Sequence, residues 1–102
     1  MIEFDCTVEE KDYTLKPGDK VIVEEDIFYC TKEDCDPETY EDYKYFMREE
    51  NNVWGNPQLY IPKGTVMRFE GNKYNCWPTF VVAGEELEFA TDIPLKLNKL
   101  EE

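Results

Sequence analysis

Carboxylates are the residues with the most chemistry to offer in this chain. Asp34, Asp36 and Glu38 alternate along the sequence, and Glu41, Asp42, Glu49 and Glu50 follow closely. Alternating carboxylates can ligate calcium. A calcium loop of the EF-hand kind also needs a glycine at its sharp turn and a distal bidentate glutamate. Neither is in place here, and Asp36-Pro37 reads better as a helix start, so no metal is expected on this segment. The other chemistry is electrostatic. Duplex DNA carries a charge every ~1.7 Å along its axis, and a rigid row of carboxylates can occupy the same basic cleft. An ordinary solvated helix face would use the same residues, with Glu41 and Asp42 paired locally to Lys44 and Arg48.

Cys6, Cys30, Cys35 and Cys76 are the other reactive groups. Cys30 and Cys35 have four residues between them rather than the two of a Cys-x-x-Cys motif, and the chain has no histidine to complete a mixed zinc site. Free, partly buried thiols are expected, with disulfides or a thiolate or carboxylate metal site as the alternatives. The missing histidine also removes the commonest general base. No neighbouring group activates a cysteine nucleophile, and no glycine-rich loop is shaped to cradle phosphate. The expectation is a non-enzyme without a cofactor.

The formal net charge is −13, from 24 acidic and 11 basic side chains. Residues 1–50 hold 17 acidic against 6 basic residues, a net of −11, and the stretch Glu24 to Glu50 alone has a net of −8. Such a surface repels nucleic-acid phosphate and anionic lipid and attracts cationic protein surfaces. The expected partner is a basic, nucleic-acid-binding protein, without direct contact to nucleic acid or membrane. Solubility alone would also account for the charge. Tyr45 and Trp54 are candidate aromatic anchors, one off the helix stripe and one in a loop-like segment. No apolar run approaches the roughly 20 residues of a membrane-spanning helix. The first ten residues lack the pattern of a secretory leader, so the cytoplasm is the expected location.

These groups have to be positioned by a core, and aromatics at 15% with 41% hydrophobic residues supply one. A chain of 102 residues is expected to form a single domain over 1–102. Ile2, Phe4, Cys6 and Val8 alternate with polar residues, predicting a strand over 2–8. Lys16-Pro17-Gly18-Asp19 is a turn leading to a strand over 20–25, and 27–31 either continues it or is a second short strand after a kink at Glu25-Asp26. Asp36 as N-cap, Pro37 at the first helical position and the Tyr40, Tyr43, Phe46, Met47 stripe predict a helix over about 37–50. Short strands follow around 59–61, 66–70, 73–77, 80–82, 87–90 and 95–97, with Gly71-Asn72 as a two-residue hairpin turn and Trp77 in the core.

Lys16-Pro17-Gly18-Asp19-Lys20-Val21-Ile22-Val23 is similar to the entry strand of SH3-like small barrels. Pro62-Lys63-Gly64-Thr65-Val66 resembles the turn and strand that follow, and Phe80 to Phe89 resembles the closing hairpin of that class. The resemblance implies an α+β fold, a small antiparallel SH3-like barrel or bent sheet with one inserted helix over about 37–50. In size and charge the chain also resembles small acidic phage and mobile-element anti-defence proteins of the anti-CRISPR kind. What that likeness implies is an acidic protein-binding module that inhibits a nucleic-acid-binding protein by imitating phosphate. Asp34, Asp36, Glu38, Glu41, Asp42, Glu49 and Glu50 would supply charge, and Tyr45 and Trp54 the anchors. The alternatives are an assembly subunit of a phage or protein complex, and a metal-binding protein.

Overall fold

A computed structural model of the chain describes residues 1–100. It is mostly β, with nine strands and one α-helix among the described residues. The strands are β1 (Ile2–Phe4), β2 (Lys20–Val23), β3 (Ile27–Thr31), β4 (Arg48–Asn51), β5 (Pro57–Ile61), β6 (Val66–Phe69), β7 (Thr79–Val82), β8 (Glu85–Glu88) and β9 (Leu95–Lys99). The helix α1 is Pro37–Tyr43. The chain divides into two compact units, one made of Met1–Glu25 with the chain from Lys63 onward, the other of Asp26–Pro62.

The first unit is one antiparallel sheet in the order β1-β9-β2-β6-β7-β8. Period-two alternation builds it: Val21 and Val23, Met67 and Phe69, and Leu95 and Leu97 are all buried. Phe4, Phe69, Phe80 and Phe89 knit the core, with Phe80 at 5.4, 5.1 and 5.2 Å from the rings of the other three. Ala83 and Gly84 both have positive φ, 51° and 83°, which makes a two-residue turn of the type that matches strand twist between β7 and β8.

The second unit is a three-stranded antiparallel sheet, order β3-β5-β4, together with α1. Residues paired across antiparallel strands share a face. Ile27 opposite Ile61, and Glu49 opposite Leu59, therefore define one face, on which Ile27, Leu59 and Ile61 are buried. Phe28 opposite Tyr60, Arg48 opposite the same Tyr60, and Glu50 opposite Gln58 define the other. Tyr29 is the extra residue of a β-bulge between Phe28 and Cys30.

The expected α+β SH3-like barrel is corrected by this topology. The fold is predominantly strand, divided between two antiparallel sheets, and neither closes into a barrel. The larger sheet ends at β1 on one side and β8 on the other, and these two strands do not pair. The turns that carry the resemblance are present, but turn chemistry fixes local reversals and not closure.

The helix expected over about 37–50 is also corrected: it ends at Tyr43, and Arg48–Asn51 is a strand. The Tyr43 carbonyl accepts from the amides of Phe46 and Met47, at 3.1 and 2.9 Å, and this turn buries Met47 without further helix. Arg48 to Asn51 then pair with β5, and that ladder outweighs the weak helix propensity of an aromatic-rich segment. The Gly71-Asn72 hairpin is not formed either. Glu70 to Pro78 is one long connection, closed at its base by the Thr79 amide donating to the Gly71 carbonyl at 2.9 Å. Residues 73–77 are not a strand, and Trp77, expected in the core, is 38% exposed. The first strand stops at Phe4 because Asp5 accepts from the Thr7 amide and hydroxyl at 2.8 and 2.6 Å, turning the chain.

Candidate functional site

All nine residues singled out from the sequence fall within the unit Asp26–Pro62. That unit has nine acidic and three basic residues, a net of −6 over 37 residues. The remaining 65 residues have 15 acidic and 8 basic, a net of −7. Negative charge is thus denser on the smaller unit.

The segment between β3 and α1 is shaped by its own carboxylates. The Thr31 hydroxyl donates to Asp34 Oδ2 at 2.9 Å, and the Asp34 amide donates back to the Thr31 carbonyl at 3.2 Å. Asp36 caps the helix, its Oδ2 accepting from the Thr39 amide at 3.3 Å, and Pro37 follows at the first helical position. Seven residues are too few for an isolated helix. Tyr40 anchors this one: it is 1% exposed, and its hydroxyl donates to Glu49 Oε2 at 2.6 Å. Burial first, then the Glu49 carboxylate, push the Tyr40 phenol above its ordinary pKa. The Lys32 ammonium lies 5.8 Å from the centre of the same ring.

The seven carboxylates do not form one row. Asp34, Asp36, Glu38, Glu41 and Asp42 line the β3–α1 turn and the helix, all exposed. Glu49 and Glu50 belong to β4, where neighbouring side chains point to opposite faces. Glu49 lies on the Leu59 face and meets Tyr40; Glu50 lies on the Tyr60 face, with Arg48 Nε at 3.1 Å. Lys44 Nζ stands 3.8 Å from Glu41 and 3.9 Å from Glu49. Among the described residues, Glu38 and Asp42 have no cation within ion-pair distance. Exposed ion pairs of this kind contribute at most about 1 kcal/mol each and leave the net charge of the unit unchanged.

Tyr45 and Trp54 are the most exposed aromatic rings of the unit, at 95% and 82%. Tyr45 sits in the turn that leads into β4, and Trp54 in the hairpin loop that leaves it. The two rings therefore flank opposite ends of a four-residue strand, a length of roughly 13 Å. The Trp54 loop is ordered by Asn52, whose Oδ1 accepts from the Trp54 and Asn56 amides at 2.9 and 3.0 Å.

Asp26 was not singled out from the sequence, yet its carboxylate accepts a hydrogen bond from the Arg48 guanidinium. No sequence signal links the two, because strand pairing alone brings them together. Tyr40, expected only as packing, is also the hydrogen-bond partner of Glu49. The four cysteines are all free thiols. Among the described residues no group of three or more Cys, Asp or Glu gathers in a metal-binding arrangement, and no helix is long and apolar enough to cross a membrane.

Comparison with family models, with curated proteins and with solved structures finds no match for this chain.

Proposed function

We propose that the chain is an acidic protein-binding module whose target is a basic, nucleic-acid-binding protein. The unit Asp26–Pro62 would present the binding face. The observation that carries this reading is the concentration of exposed carboxylates, from Asp34 to Asp42, on a turn and helix that Tyr40 and the Asp36 cap hold in place. Rigid placement matters because a mimic of phosphate must present its charges without first ordering them. Tyr45 and Trp54, exposed at the two ends of β4, are suited to anchor the rim of such a contact. Inhibition of the target, by occupying its nucleic-acid channel, is the outcome this design favours. Long-range attraction would make association fast and strongly salt-dependent.

The test is affinity capture from the native host with the unaltered chain and with the variant carrying Glu38→Lys, Glu41→Lys and Asp42→Lys. The expected capture is a basic nucleic-acid-binding protein, retained at low salt, released at high salt and displaced by duplex DNA. The variant should lose it. A partner captured equally by both chains would refute the proposal.

A further inference from the structure

The larger sheet has a free edge at β8. That strand pairs with β7 on one side, and among the described residues no strand pairs with its other side. In an antiparallel ladder, hydrogen-bonded and non-bonded residue pairs alternate. The Phe89 amide donates to the Pro78 carbonyl at 3.0 Å, so the Phe80–Leu87 pair is bonded and the Thr79–Glu88 and Val81–Glu86 pairs are not. Thr79 agrees with this phase: its amide donates to Gly71 and its carbonyl accepts from Glu70, both at 2.9 Å and both away from β8. The amides and carbonyls of Glu86 and Glu88 therefore point outward, and Glu85, Glu86 and Glu88 are all exposed. The other sheet edges are less open. β3 carries the Tyr29 bulge, and β1 is three residues long with Glu3 paired to Lys96. In β4, Tyr40 holds Glu49 and Arg48 meets Glu50. The β7–β8 ladder runs without a bulge, and β8 has no proline; these are two of the devices that close an edge.

We propose that β8 is a docking edge for an extended cationic segment of another protein, which adds to the sheet as a further strand. Charge selects the occupant. Among the described residues Glu85 and Glu88 have no cation within ion-pair distance, while Glu86 is held by Lys73 Nζ at 2.9 Å and by the Tyr74 hydroxyl at 2.8 Å. A second copy of this chain is a poor occupant. Antiparallel pairing of two β8 strands centred on Leu87 sets Glu86 opposite Glu88 twice, and like charges directly opposite are destabilising. A lysine or arginine opposite Glu88 reverses that sign, and the same residue's amide and carbonyl exchange bonds with the Glu88 backbone. Alternate residues of the incoming strand are therefore cationic. The proposal goes beyond the partner-binding reading of the unit Asp26–Pro62. It uses outward backbone groups of the other unit, and its occupant is a strand and not a basic cleft.

The test titrates the full isotope-labelled chain with the peptide Lys-Thr-Lys-Thr-Lys-Thr, capped at both ends, and follows the amides by NMR. The expected result is a saturable shift of the Glu86 and Glu88 amides, with slowed hydrogen exchange at both. N-methylation of every lysine removes the donors that face β8 and leaves the charge intact, so binding should weaken at least about tenfold. N-methylation of every threonine, whose amides face away, should leave binding nearly unchanged. In the protein, Glu88→Pro removes an outward amide without breaking a bond to β7, and it should also weaken binding, with circular dichroism checking the fold. The variant carrying Glu38→Lys, Glu41→Lys and Asp42→Lys should still bind the peptide, which separates this edge from the acidic helix. Equal binding of the two methylated peptides, shifts confined to Asp34–Asp42, or no binding of the unmethylated peptide would overturn the proposal.

Discussion

At the scale of single residues, Tyr40 carries the most consequence. Its ring fills the interior of the smaller unit, and its hydroxyl donates to the carboxylate of Glu49. Tyr40→Phe keeps the ring and removes the bond, so it should cost about 1–2 kcal/mol in denaturant unfolding with the circular dichroism unchanged. Titration gives a second expectation. Desolvation raises the buried Cys6 thiol and the half-buried Cys30 thiol to about 12, and Tyr40 is raised as well. A group whose folded pKa exceeds its unfolded value stabilises fully below the unfolded pKa and loses that contribution as pH rises through the folded one. Stability should therefore hold through neutral pH and decline from about pH 9 to 12. Urea midpoints measured along this range should fall less steeply for Cys30→Ala than for the unaltered chain. The cap at Asp36 and the proline after it were legible because the chemistry of a helix start is local. The Glu49 partnership of Tyr40 was not, because a strand had to form before the two could meet.

At the scale of elements, β4 is the instructive case. Arg48-Glu49-Glu50-Asn51 has no β-branched or aromatic residue and carries no strand signal. It is a strand because β5 offers it a ladder, and because Asn52 nucleates the loop that turns one into the other. A charged edge strand also discourages pairing with a second chain. Asn52→Ala should destabilise this hairpin by about 1–2 kcal/mol, since both loop amides lose their acceptor. By contrast, β3 stands over Ile27–Thr31 as its residues suggest, since β-branched and aromatic side chains favour a pleated surface. The Tyr40–Met47 stripe misled because a short helix followed by a turn buries Tyr40 and Met47 as well as a long helix would. In the larger sheet, Ala83 holds a left-handed conformation, φ 51°, ahead of Gly84. Ala83→Asn creates the Asn-Gly pair this turn prefers and should raise the melting temperature, a gain of about 0.5–1 kcal/mol.

At the scale of the whole molecule, the charge is what the sequence made most visible, and its denser part lies on the smaller unit. The sheet order was not legible. Pairings such as β2 with both β6 and β9 join strands far apart in the chain, and no local pattern encodes them. The candidate site was legible as a region and not as a surface: five carboxylates stay together on turn and helix, while Glu49 and Glu50 diverge onto opposite faces of β4. That separation predicts unequal roles. Reversal at Glu38 and Asp42 should weaken partner binding tenfold or more, on the order of 1.4 kcal/mol, whereas Glu50→Gln should change it little in the same titration, Glu50 being engaged with Arg48.

The most direct measurement is amide hydrogen exchange on the purified complex with the captured basic partner, compared with the free chain. Slowed exchange is predicted from residue 33 to residue 51 and around Trp54, with little change in β1 and β6 to β9. Protection confined to the six-stranded sheet, with the Asp34–Asp42 segment exchanging as freely as before, would contradict the account.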